Sequence, residues 1–356
     1  MSAARDLLRE AFRTDEHTLE WRAGIAGAVA TVGPLAIGIA SGEAVLGLIA
    51  GIGGLNTSLC IPGAGLRSRL WWGSLSAASE LGAFALANVV RDHDWALVVA
   101  TLLWVSGWAF FRAAGRAGGI LGFSTAAVFV VLAGIPASPE PFGERLLWFS
   151  FGVVASLVLM IAARRGPEPS KRVVHDSLSA VRVAVTGRDS ALRAHAARLG
   201  LAVAASTLFY LVIDLAHGYW VPLTTLAILQ PEERATRVRS VQRAVGTFAG
   251  AGLIIAITLA THEPWALAAG AAVAAFGLFA LDERGYFWLV ALITPTVLFM
   301  LSAVDFQGDD IGLERLADSS LGILIGLAFG EVAWRLWPSP VGLAPTALGA
   351  SDGQRR

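Results

Sequence analysis

The sequence predicts an all-α membrane protein with about twelve transmembrane helices. They form two parallel six-helix repeats, related by a pseudo-two-fold axis along the membrane normal. Three observations predict it. First, 55% of the 356 residues are apolar and only 15% are charged, with a mean hydropathy of +0.64; a soluble domain carries about 25% charged residues. Second, the apolar runs are continuous rather than alternating, which selects helices over a β-barrel. Third, short sequence elements of the first half return in the second at one offset.

A membrane helix needs about 20 mostly apolar residues. Apolar runs between charged or turn-forming breaks place six spans in the first half, at 22–40, 44–60, 70–90, 95–111, 117–135 and 146–163. Six more follow at 196–215, 218–230, 241–260, 265–281, 286–303 and 316–337. Residues 1–21 alternate charges (Arg5, Asp6, Arg9, Glu10, Arg13, Asp15, Glu16) and read as a cytoplasmic segment, so the first span serves as its own targeting signal. Residues 338–356 read as a disordered cytoplasmic tail. With both ends inside, 24 of the 27 basic residues fall in inner segments, and only Arg91, Arg145 and Arg315 fall outside. Such a bias fixes orientation in the cell membrane and requires an even number of spans.

The repeat rests on matched residues. Trp95-Ala96-Leu97 returns as Trp265-Ala266-Leu267, Gly107 as Gly277, Glu144-Arg145-Leu146 as Glu314-Arg315-Leu316, Gly152 as Gly322 and Arg165 as Arg335, all at an offset of 170. Thr125 and Val128 return as Thr294 and Val297 at 169. Earlier in each half the offset drifts to about 173–174, pairing Gly73 with Gly246 and Asn56 with Gln230, as a change in loop length requires. Two six-span units, 22–163 and 196–337, then enter the membrane in the same direction, like a dimer fused into one chain. The joint, 164–195, is basic. Its Val174, Leu178, Val181 and Val185 share one helical face, with Lys171, Arg172 and Arg182 on the other, which predicts an amphipathic helix on the inner membrane surface. Asp189 and Ser190 suit the start of the next helix.

Interrupted spans at matching places in two repeats point to a substrate site. Span 2 carries Gly47, Gly51, Gly53 and Gly54, then Asn56, Thr57 and Ser58, and ends before Pro62. Span 8 holds Pro222, Thr224 and Thr225 and stops at Gln230-Pro231. Both are short, and their broken ends would offer backbone groups to an ion or a polar substrate. Beyond span 8, Arg234, Arg237, Arg239 and Arg243 crowd the inner mouth, a charge pattern suited to an anion. Plain topology accounts for such arginines as well, so each stands between anchor and path.

Two carboxylates are candidates for proton coupling. Glu80 lies mid-way along span 3 without a basic neighbour in its own helix, and an intramembrane carboxylate is a functional hypothesis by default. Asp318 stands three residues from Arg315, so the two share a face and can pair; the first half keeps Arg145 but has Trp148 in place of the aspartate. Arg315 reads as the structural partner of Asp318, and Glu331 with Arg335 as a stabilising pair one turn apart.

The single cysteine, Cys60, allows no disulfide within the chain and no metal-ligand cluster. None of the six histidines has metal or catalytic spacing, and no phosphate-binding glycine loop is present. The sequence therefore implies no metal, no cofactor, no nucleic-acid partner and no enzymatic activity. The implied partners are the lipid bilayer and a small organic anion.

The string 218–253, GYWVPLTTLAILQPEERATRVRSVQRAVGTFAGAGL, resembles the signature of the fusaric acid resistance family, the aromatic acid exporter superfamily. The matching residues are Tyr219-Trp220, Leu223-Thr224, Gln230-Pro231, Thr236 with Arg239, and Arg243 with Gly246-Thr247. A later element is met by Arg315, Asp318, Ser319 and Gly322. The resemblance covers about 130 residues of the second half; the first half lacks the Tyr-Trp and Gln-Pro elements. It implies efflux of weak organic acids, such as aromatic carboxylates, and a path along the pseudo-axis lined by Asn56, Tyr219, Trp220, Thr224, Gln230, Arg237, Arg239 and Arg243. It is also compatible with a monomer acting as a fused pseudo-dimer. Many bacterial members carry a large cytoplasmic domain after each unit. Here about 30 residues join the halves and about 19 follow the last span, so dependence on a periplasmic adaptor is not carried over. An anion channel, and a scaffold that transports nothing, remain open as alternatives to a secondary transporter.

Overall fold

A computed structural model describes residues 10–12, 18–135, 139–167, 172–187, 190–215, 217–281, 285–304 and 311–336, without the side chains of 311–314 and 332–336. Lys171, Asp189, the tail 338–356 and the side chain of Arg335 lie outside the described residues. Within them the chain is all-helical, with thirteen α-helices and no strand. The first half holds α1 (Trp21–Ser41), α2 (Ala44–Cys60), α3 (Leu66–Val90), α4 (Asp94–Ala109), α5 (Gly115–Gly134) and α6 (Phe142–Ala163). A linker helix, α7 (Val173–Thr186), follows. The second half holds α8 (Ser190–Val212), α9 (Trp220–Ile228), α10 (Glu233–Thr258), α11 (Pro264–Ala280), α12 (Tyr286–Ser302) and α13 (Ile311–Leu336).

Five stretches are long and apolar enough to cross a membrane: Trp21–Ser41, Asp94–Gly134, Phe142–Ala163, Ser190–Val212 and Glu233–Thr258. The second of these is not one rod. A 3-10 turn at Phe110–Ala114 and a left-handed Gly115 (φ 80°) fold α5 back on α4. The Trp104 indole donates to the Thr125 carbonyl at 3.3 Å, and the Trp104 and Phe129 rings lie 6.0 Å apart. Three further apolar helices, Ala44–Cys60, Pro264–Ala280 and Tyr286–Ser302, are 17 residues each, about 25 Å of rise.

The outer faces are apolar. Along α6, Leu147, Phe151, Val154 and Val158 recur at helical spacing and stand 44–72% exposed. Such a ridge has no solvent partner and belongs against lipid, which the backbone-satisfied helices can meet. With its apolar helices, the chain is a multi-pass membrane protein.

Small residues set the close crossings. A Cβ at Gly152 on α6 would fall 1.8 Å from the Ala50 carbonyl oxygen on α2. A Cβ at Gly322 on α13 would fall 2.6 Å from the Val221 carbonyl oxygen on α9. Between the halves, α1 packs on α11, with Gly24 and Gly27 against Phe276 and Phe279. Likewise α8 packs on α4, with Gly200 against Leu102 and Ser106. One buried apolar core runs through both halves. Cys60 is a small buried residue within a side cluster with Trp72 and Leu121.

The linker helix forms where the apolar spacing places it. Val174, Leu178 and Val185 on its expected apolar face remain 42–49% exposed, while Ala184 is buried.

Candidate functional site

Helix α9 is the shortest among the described residues. Its nine residues rise only about 14 Å, and Pro222 sits in its first turn. Backbone at Leu229 turns extended (φ −72°, ψ 113°), and the loop to α10 is clasped by side chains. The Gln230 N–H donates to Thr236 Oγ1 at 2.9 Å, and Arg198 donates to the Pro231 carbonyl at 3.0 Å. The sequence leads one to expect backbone groups open to a ligand here. At Gln230 and Pro231 the protein's own Arg198 and Thr236 take them instead, because a buried polar group without a partner is costly.

The other end of α9 opens on a cavity of about 80 Å³ between the two halves. The first half contributes Leu48, Ile52, Leu55 and Asn56 from α2, with Phe123, Ala127, Val131 and Ile135 from or just beyond α5. The second contributes Tyr219, Trp220 and Leu223 at α9, Arg243 from α10, Ile293, Thr294, Val297, Met300 and Leu301 from α12, and Arg315 from α13. Phe123, Ala127 and Val131 of α5 and Ile293, Val297 and Leu301 of α12, each set at helical spacing, line the same space.

Two cations reach this apolar and aromatic space. Arg243 lies roughly 15 Å along α10 from Glu233, about half the thickness of a bilayer core. It is 5% exposed, and Arg315 is 2% exposed. The Arg315 guanidinium sits over the Trp220 ring, 4.0 Å from its centroid. Nε of Arg243, Nη1 of Arg315 and Oγ1 of Thr294 are buried without a hydrogen-bond partner among the described residues. Unmet donors on a buried cation call for an acceptor. A carboxylate supplies two oxygens that accept from a guanidinium with charge assistance.

The other candidate residues scatter by depth. Thr224 is fully buried, packed against Gly322 rather than lining the cavity. Gln230 accepts from Arg112 at 3.1 Å at the end of the bundle where α9 stops. Arg239 stacks on Tyr286 at 3.5 Å, and the Tyr286 hydroxyl donates to the Ala227 carbonyl at 3.2 Å. Arg237 is about half exposed, bonds Glu233 and approaches Glu331 at 3.7 Å. Of the three arginines expected on the path, Arg243 alone lines this cavity. Asp318 is 3% exposed, one turn along α13 from Arg315. Arg315, which the spacing pairs with Asp318 as its neutralising partner, has the Asp318 charge nearby and also lines the cavity.

Glu80 is fully buried and held by hydroxyls. Ser76 Oγ donates to Oε1 at 2.7 Å, and Thr57 Oγ1 donates to Oε2 at 2.8 Å. Nearby, Ser79 meets Thr125 at 2.9 Å, and Ser124 donates to Asn56 Oδ1 at 3.0 Å. Asn56 therefore joins the cavity wall to this polar seam. The seam escapes a sequence reading because small hydroxyl residues in apolar helices look like packing residues; the signal is that Asn56, Thr57, Ser76, Ser79 and Glu80 fall in two adjacent helices.

Comparison with known proteins agrees with this second-half signature. Residues 202–329 match the family described as fusaric acid resistance protein-like. Over these residues, about a third of its length, the chain is similar to the fusaric acid resistance protein-like family. Its relatives include the protein YhfK of Escherichia coli (strain K12), 32% identical over 165 residues, 45% of this chain and 22% of that one. The inner membrane protein YccS of the same organism is 28% identical over 149 residues, 42% of this chain and 21% of that one. A protein of Neisseria gonorrhoeae, ORF2, is 30% identical over 154 residues, 42% of this chain and 35% of that one. The matched stretch thus spans about a fifth to a third of these relatives' length. No solved structure matches the chain. The family match takes in Tyr219, Trp220, Thr294, Arg243 and Arg315, so the second-half wall of the cavity lies within it.

Proposed function

We propose that this chain is a transporter that moves small organic anions, with aromatic carboxylates as the favoured class, across the cytoplasmic membrane. The observation that carries the reading is the cavity between the halves: two buried arginines with unmet donors, flanked by Tyr219 and Trp220, on otherwise apolar walls. Aromatic and aliphatic walls suit a ring, and guanidinium donors suit a carboxylate. The resemblance noted in the sequence supplies the export direction, and the inner membrane location named for YccS supports the compartment.

The architecture proposed with it is twelve crossings in two parallel repeats, both ends in the cytoplasm. Equivalent helix pairings support it: α1 on α11 mirrors α8 on α4, and Gly152 over α2 mirrors Gly322 over α9. A cavity on the pseudo-axis then has unlike walls, since both of its cations come from the second half. Glu80 is the proposed proton carrier, reaching the cavity through the seam that ends at Asn56, with Asp318 as the second candidate. The α7 helix lies on the inner surface with its valines and Leu178 in lipid.

A specific observation bears on the scaffold alternative. A scaffold needs a sealed midplane with its charges in local pairs, as Glu80 has with Thr57 and Ser76. Nε of the buried Arg243 has no hydrogen-bond partner among the described residues, which favours transport. Counterflow of labelled benzoate in proteoliposomes tests the proposal. Saturable counterflow supports a carrier, unsaturated flux down a gradient supports a channel, and no flux under any gradient defeats both.

A further inference from the structure

The three basic residues that fall outside against the charge bias share a location. Arg315 lines the central cavity, and Arg91 and Arg145 line a second, smaller pocket of about 20 Å³. The two spaces have Leu48, Ile52 and Ile135 in common, so they adjoin. Arg91 stands at the C-terminal end of α3 and Arg145 in the first turn of α6. Arg145 is also the first-half counterpart of Arg315 at the offset of 170.

The pocket has unmet polar groups. Arg91 Nη2 donates to the Ile135 carbonyl, which anchors it. Arg145 Nε is buried and has no hydrogen-bond partner among the described residues. Asn88 Nδ2 donates to the Phe84 carbonyl at 2.8 Å, leaving its buried Oδ1 to accept from water or a ligand hydroxyl. The Arg91 and Arg145 charges repel one another, and the neighbouring Asp92 carboxylate offsets part of that repulsion at Arg91. Like charges facing one low-dielectric space gain from an anion between them. The space holds one or two waters, so a carboxylate head is the part that fits, with its ring directed toward the shared Leu48, Ile52 and Ile135.

We propose that Arg91 and Arg145 form a second carboxylate site, a station between the central cavity and the outside face. The proposal rests on the transport reading and its orientation for the word station, but the site itself is separable. Topology alone explains none of these positions, because the inside bias predicts lysine and arginine away from this end.

Equilibrium dialysis of labelled benzoate against the full chain in lipid nanodiscs tests it. The wild type binds two benzoates, the R243Q/R315Q protein binds one, and adding R91Q/R145Q to that protein removes the last. R145Q alone, which keeps the Arg91 bond to Ile135, weakens one of the two benzoates about tenfold, or about 1.4 kcal/mol, and serves if the quadruple variant does not fold. Benzoate binding that disappears with R243Q/R315Q alone overturns the second site, as does binding that survives R91Q/R145Q unchanged. If R243Q/R315Q leaves both the flux and the two-site binding intact, the central reading fails instead, while R91Q/R145Q still decides the outer site.

Discussion

Arg315 and Trp220 meet face to face across the central cavity, the guanidinium 4.0 Å from the ring centroid. They come from α13 and α9, nearly a hundred residues apart in sequence, and both are nearly inaccessible. The ring holds one face of the cation and leaves an edge whose Nη1 has no hydrogen-bond partner among the described residues. A buried cation–π contact is worth about 2 kcal/mol, and an aromatic replacement keeps part of it. Trp220→Ala is therefore expected to weaken benzoate binding about 10- to 30-fold. Trp220→Phe loses only a few fold by the same scale. Equal losses in the two variants would show that the ring merely fills space.

The helix crossings at Gly152 and Gly322 admit no side chain. Each abuts a backbone carbonyl, at 1.8 and 2.6 Å from the would-be Cβ, and backbone yields less than a side-chain tip. Gly152→Ala and Gly322→Ala are expected to destabilise by about 1–3 kcal/mol. Thermal unfolding in detergent reads this as a lowered Tm in both, with Gly252→Ala, which meets nothing within 4 Å, as the unaffected control.

Glu80→Gln separates a structural carboxylate from a proton carrier. The amide keeps the shape, and Thr57 or Ser76 can turn its hydroxyl to accept. The variant is expected to fold with wild-type Tm, and its benzoate flux is expected to lose its response to a pH gradient. A pH-driven flux equal to wild type would leave Glu80 with a packing role only.

A parallel repeat places equivalent loops on one side. Asp92, between α3 and α4, and Glu263, between α10 and α11, are such a pair. With Cys60 replaced by serine, single cysteines at these two positions are expected to react with an impermeant maleimide from the same, periplasmic face. Labelling from opposite faces would demand an inverted repeat.

Much of this was legible in the sequence, for physical reasons. Apolar runs and charge breaks mark helix ends, so α2 (Ala44–Cys60) and α6 (Phe142–Ala163) fall where 44–60 and 146–163 place them. The linker helix follows from the spacing of Val174, Leu178, Val181 and Val185. The inward face of Arg243 is signalled by Gly246 and Gly250 on the same helix, which let α10 approach Val290, Thr294 and Pro295 of α12. The hairpin between α4 and α5 was legible only as a gap, because Arg112 and Gly115 look like any loop. The seat of Arg315 on Trp220 was not legible. Spacing on one helix favours a neighbour such as Asp318, whereas the Trp220 contact is made across helices, and nothing in a single sequence reports which faces converge. The Arg198 clasp on Gln230 and Pro231 was hidden for the same reason.

The central claim is that an organic anion passes through the cavity at Arg243. Benzoate counterflow in proteoliposomes, comparing wild type with Arg243→Ala and Arg243→Lys at equal reconstituted protein, tests it most directly. Truncating a buried charge that binds the anion removes about 3 kcal/mol or more, so Arg243→Ala is expected to fall at least about 100-fold while still inserting, and Arg243→Lys to keep a measurable fraction. Wild-type flux in Arg243→Ala would contradict the account.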